Sequence, residues 1–103
     1  GLCMDDFGSG YANLNAVLKL PFQCIKMDRS MLNGIRQHKV AGEFYRNIVT
    51  ILRQQGYAIV AEGVEEQEEV ELLEAWGVDM IQGYYFSRPL PVEEFLKKIR
   101  EAG

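Results

Sequence analysis

The sequence contains no apolar run near the roughly 18 residues that a helical membrane span requires, and no membrane contact is expected of it. Its first residues, GLCMDDFGSG, have neither the basic start nor the long apolar core of a secretion signal. Positive charge is scarce. Eleven Lys and Arg stand against fifteen Asp and Glu, a net charge of −4. That excludes a DNA binder working through bulk charge, but not one small anionic ligand held at a local site. There are two cysteines, Cys3 and Cys24, without metal-ligand spacing. They read as buried, reduced thiols of a cytoplasmic protein, with a disulfide as the less favoured alternative. No G-x-G-x-x-G or Walker loop occurs, and no Pro- or Ser-rich linker. At 103 residues with 48% apolar composition, the chain is one globular domain or part of one.

What is present is an alternation. Residues 2–5 form a short apolar run that stops at the acidic pair Asp5-Asp6 and a turn carrying Gly8 and Gly10. Leu14, Val17 and Leu18 recur at helical spacing over residues 12–20, before Pro21. Residues 24–28 read as a second strand. A long helix is predicted over about 40–55, with Phe44, Ile48, Ile51 and Leu52 as its buried stripe and Gly56 as its stop. Residues 57–62 form a third strand. The acid run Glu65-Glu66-Gln67-Glu68-Glu69 then opens a helix carrying Val70, Leu73 and Trp76; acids in a first turn complement the helix dipole, and the run reads as a solvated face. Residues 78–82 are a fourth strand, and Pro91 begins a last helix with Phe95, Leu96 and Ile99. His38 reads as a surface residue. The fold class is therefore α/β: four consecutive βα units with parallel strands and right-handed crossovers.

Side chains alternate between the two faces of a strand. Counting by twos places Asp5 with Cys3, Lys26 with Cys24, Glu62 with Val60 and Gln82 with Met80, while the opposite face is apolar throughout. Four successive strands thus end in Asp, Lys, Glu and Gln on one face. A (β/α)8 barrel builds its active site in this way, on the C-terminal rim. Paired carboxylates with another acid across the rim are hard oxygen ligands suited to Mg²⁺ or Mn²⁺. A nearby ammonium stabilises negative charge. Phosphoester hydrolysis fits the set.

Asp5-Asp6-Phe7-Gly8-Ser9-Gly10-Tyr11, Ile25-Lys26-Met27-Asp28-Arg29-Ser30, Ala61-Glu62-Gly63-Val64-Glu65, Ile81-Gln82-Gly83-Tyr84 and Ser87-Arg88-Pro89-Leu90-Pro91 occur in order over nearly the whole chain. Together they resemble the EAL-domain family, whose active members hydrolyse cyclic di-GMP to linear pGpG in bacterial second-messenger signalling. The resemblance implies that Asp5 and Asp6 are metal ligands, that Lys26 holds water near the metals, and that Glu62 and Gln82 complete the catalytic water network. It implies a loop-bracing role for Glu65, and structural or loop-positioning roles for Asp28 and Arg29.

A (β/α)8 barrel takes about 250 residues. The resemblance therefore covers the last four βα units, residues 1–103 as a partial EAL domain, the C-terminal half of a TIM-like barrel. The glutamate of the Glu-Ala-Leu signature is absent, as are an asparagine and a glutamate from other early strands. With three oxygen ligands missing, the fragment alone is expected to have little or no activity. Residues 2–5 and 78–82 are expected to be open sheet edges, paired by the other half-barrel or by a second copy. The alternative is a degenerate domain that acts as a cyclic di-GMP receptor or a protein-interaction module.

Overall fold

The computed structural model describes residues 2–7, 21–83 and 86–102. Strand β1 (Leu2–Phe7) is followed by β2 (Phe22–Met27), helices α1 (Arg29–Gln37) and α2 (Lys39–Gln54), β3 (Ala58–Val64), α3 (Gln67–Trp76), β4 (Met80–Gly83), β5 (Phe86–Pro91) and α4 (Val92–Ala102). The five strands lie in one sheet in chain order, the first four parallel and β5 antiparallel to β4. The helix read at residues 12–20, the Gly8 and Gly10 turn, the Asp6 and Ile99 side chains and Tyr84 lie outside the described residues.

The apolar face packs as its periodicity predicts. Met4, Ile25, Met27, Ile59, Ala61 and Ile81 are buried against Tyr45, Val49, Val70, Leu73 and Phe95 from the helices. Among the described residues, no helix is long and apolar enough to cross a membrane.

Four details differ from the sequence reading. Helix α1 was not expected. It begins where Asp28 caps it, the carboxylate accepting from the Ser30 amide at 3.0 Å, and it buries Leu32. In α2 the buried stripe is Tyr45, Val49 and Leu52, whereas Phe44 is 64% and Ile51 57% exposed and Ile48 is half-buried. Apolar residues make up half of this helix, so periodicity admits two stripes. Contact with the sheet, and the tilted ring contact of Tyr45 with Trp76 at 5.8 Å between centroids, selects one.

The third difference is β5. Its two prolines argue against a strand, but an edge strand tolerates residues that cannot donate. Pro91 accordingly ends β5 rather than opening α4, and the edge expected to be open along residues 78–82 is covered. β1 remains an edge of the described sheet. The fourth is the cysteine pair. Cys3 and Cys24 stand directly opposite each other on β1 and β2 and form a disulfide, against the expectation of two thiols.

Asp79, just before β4, closes the far end of the sheet. Its carboxylate accepts from the Ile59 amide at 2.8 Å and lies 3.4 Å from Arg53. Removing an acceptor that satisfies a part-buried amide costs about 1–3 kcal/mol. Asp79→Ala is therefore expected to lower the unfolding free energy measured in urea by that amount, and Arg53→Ala by less, because that ion pair is half-exposed.

Candidate active site

The polar strand ends fall into two couples. On β1 and β2, Lys26 Nζ lies 3.5 Å from Asp5 Oδ1. The register there slips: Met4 pairs with Ile25 and Phe7 with Met27, so Asp5 and Asp6 both stand opposite the single residue Lys26. An extra residue in one strand is a β-bulge, and bulges re-aim side chains beside active sites. The irregularity thus lies within the strand itself.

On β3 and β4, Glu62 and Gln82 are direct register partners. A second slip follows at once, because Val64, not Gly63, pairs with Gly83. Gly63 takes φ +80°, and a Cβ there would lie 2.4 Å from Arg29 Cβ. The two couples are not opposite each other across β2 and β3. Lys26 pairs with Val60, which leaves Glu62 two residues further along, about 6.6 Å at strand rise. The Asp, Lys, Glu and Gln residues therefore share a face without sharing one row. Tilted strands of a barrel are staggered in this way.

A cleft of about 730 Å³ opens beside the second couple, lined by Glu62, Gln82 and Gly83 from the strand ends, Glu65 from the following turn, and Arg29 and Asn33 from α1. Asp5 and Lys26 are not among its lining residues. Glu62 and Gln82 are half-buried, and Asp5 is exposed.

Glu65 is also exposed, and its carboxylate lies 3.9 Å from Arg36. Arg36 belongs to the stretch Arg36-Gln37-His38-Lys39, in which the sequence showed only polarity. Its partner is Glu69, at 2.6 and 2.8 Å to the two carboxylate oxygens. Within the acid run Glu69 is thus not a solvated residue, whereas Glu65, Glu66 and Glu68 are exposed. Its Oε1 also accepts from the amides of Glu65 and Glu66 at 3.0 and 3.1 Å. Nothing in the spacing of residues 36 and 69 announces this pair. It forms because α1 and α3 flank β3.

Partial burial by itself would raise the Glu69 carboxyl. The Arg36 hydrogen bond, the two amides and the Arg36 charge outweigh it and hold Glu69 below its ordinary 4.5. A depressed carboxyl contributes stability that is complete above the unfolded-state value and is lost as pH falls through the folded one. The stability gap between wild type and Glu69→Gln is therefore expected to be widest above about pH 5 and to close in more acidic buffer, as read from urea midpoints across pH. Tyr45 is a further residue the sequence reading missed. Its hydroxyl is buried and has no hydrogen-bond partner among the described residues. Burial, with a smaller contribution from the Glu62 carboxylate, pushes its phenol up.

Whether the donors suit a metal depends on kind and number. Asp5 and Glu62 are hard oxygen donors, the type that divalent Mg²⁺ or Mn²⁺ prefers. Among the described residues, however, no three acidic, cysteine or histidine side chains converge. The set fits such an ion in kind and is incomplete in number.

Parallel βα units with charged and amide side chains at the carboxyl ends of the strands are the layout of TIM-barrel-like folds, which carry their sites on that rim. A model of the EAL domain matches residues 1–89, and this chain belongs to the EAL domain family. It is 39% identical over 101 residues to cyclic di-GMP phosphodiesterase PdeL of Escherichia coli strain K12, an alignment that covers 97% of this chain and 28% of that protein. An EAL domain protein from Listeria monocytogenes EGD-e superposes with a TM-score of 0.75 at 41% identity, covering 96% of this chain and 40% of that one. A Klebsiella pneumoniae protein in complex with calcium and cyclic di-GMP gives a TM-score of 0.71 at 33% identity, over 88% of this chain and 23% of that one. The chain thus spans well under half the length of each of these proteins.

Proposed function

We propose that this chain is the last four βα units of a complete EAL domain, residues 1–103, and carries the C-terminal half of a site that hydrolyses cyclic di-GMP to pGpG. The observation that carries the reading is the pairing of charged and amide groups at adjoining strand ends, Asp5 with Lys26 and Glu62 with Gln82, in a chain of this family. A cyclic di-GMP complex among the related structures supports the choice of ligand.

In the reaction a water oxygen attacks one phosphorus, a P–O bond to it forms, and the P–O bond to a ribose oxygen breaks. Glu62, half-buried beside Gln82, accepts the proton of the attacking water and returns it to the leaving oxygen. The Gln82 amide orients that water. The Lys26 ammonium, held by Asp5, faces the negative charge that grows on the phosphate oxygens. Asp5 and Asp6 are this chain's ligands for Mg²⁺ or Mn²⁺, which polarises a phosphoryl oxygen when bound. The calcium complex among the related structures supports a divalent ion. Glu65 braces the turn after β3. The setting is the bacterial cytoplasm.

With part of the ligand set supplied elsewhere, the 103-residue chain alone is expected to release almost no pGpG, and its partner is the remainder of the barrel. The test is chromatography of cyclic di-GMP incubated with the complete domain and Mg²⁺. Metal-dependent pGpG release supports the hydrolase. Tight binding in calorimetry without turnover makes the domain a receptor instead, and neither result leaves a role in protein contacts alone.

A further inference from the structure

The turn that follows Glu62 is held from one side by a single helix. Arg36, in the last turn of α1, donates from Nη2 to the Gly63 carbonyl at 3.1 Å, while Nε and Nη2 grip both oxygens of Glu69. Nη1 is anchored to Asn33 Oδ1 on the same helix. Through Glu69 the clasp extends to the amides of Glu65 and Glu66, so the backbone of the turn is fixed at three points. Gly63 meanwhile rests on Arg29, the first residue of α1. The start of α1 is tied in turn to the first couple: Asp28 follows β2 directly, and its amide donates to the Phe7 carbonyl of β1 at 2.9 Å. Arg36 is not among the residues lining the cleft.

We infer that Arg36 is a positioning residue that clamps the Gly63–Glu66 turn and, through α1, keeps Glu62 in fixed relation to the Asp5–Lys26 couple. The inference rests on the hydrolase reading for its effect on rate, but the clasp itself does not. The two couples are offset along the sheet, so their relation depends on the connections at the strand ends as well as on the ladder between β2 and β3. A planar guanidinium reaches a carbonyl and both oxygens of a carboxylate at once. An ammonium has no such fork.

The test compares wild type, Arg36→Ala and Arg36→Lys in the complete domain, by steady-state kinetics with cyclic di-GMP, by hydrogen exchange over residues 63–69, and by global unfolding. An error of about 1 Å in a catalytic group placed from a distance costs up to about 100-fold in rate. The expected result is a kcat at least about tenfold lower in Arg36→Ala, with KM little changed and exchange over 63–69 accelerated beyond any change in global stability. Arg36→Lys is expected to keep the global midpoint yet recover neither kcat nor protection fully. Wild-type kcat with wild-type exchange in both variants overturns the inference. So does a fall in kcat with unchanged exchange over 63–69, or one that only tracks global unfolding. If wild type itself turns over no cyclic di-GMP, the hydrolase reading has failed, and the exchange data still decide the clasp: unchanged protection in both variants overturns it.

Discussion

Glu62→Gln is expected to lower kcat for cyclic di-GMP by about 10²–10⁴-fold in the complete domain, the range that a positioned general base contributes. The substitution preserves shape and one carbonyl acceptor, so the β3–β4 register that pairs Glu62 with Gln82 should survive. What disappears is the ability to take a proton. The loss should therefore appear in kcat, with ligand affinity nearly unchanged. Asp5→Asn probes the other couple. It keeps an oxygen opposite Lys26 but removes the negative charge, and is expected to raise the Mg²⁺ concentration needed for half-maximal rate. Both are measured by pGpG formation against metal concentration. A Glu62→Gln domain with wild-type turnover would end its assignment as the base.

The second large effect is on stability. Gly63→Ala places a side chain at φ +80°, where an L-residue is disfavoured by about 1–2 kcal/mol, and puts its Cβ 2.4 Å from Arg29 Cβ and 3.2 Å from Arg29 Cα. Overpacking adds about 1–3 kcal/mol, for a total of about 2–5 kcal/mol. Against a typical stability of about 5–15 kcal/mol, that is a large fraction. Gly56→Ala is the control. Its φ is +95°, but nothing lies within 4 Å of the added carbon, so only the backbone term applies. Urea denaturation of the two variants should separate conformation from contact. Equal midpoints would mean that Arg29 moves aside freely.

Much of the site was legible because its logic is local. Strand periodicity places Asp5, Lys26, Glu62 and Gln82 on the polar face, and the structure puts two pairs of them side by side. The errors share a physical cause. Phe44 and Tyr45 are adjacent apolar residues on one helix, and only the surface beneath decides which is buried. Pro89 and Pro91 oppose a strand in isolation, and only a place at the sheet edge permits it. Composition favoured free thiols, but register sets Cys3 against Cys24. Arg36 and Glu69 look like ordinary surface charges until α1 and α3 flank the same strand.

The four parallel strands, the apolar face and the chemical character of the rim follow from the amino-acid sequence alone, because each depends on residues a few positions apart. The offset between the two couples, the slips at Asp5-Asp6 and Gly63, and the clasp on the turn belong to tertiary structure. They arise where segments tens of residues apart must satisfy one another's hydrogen bonds and volumes, a condition that no short stretch of sequence contains.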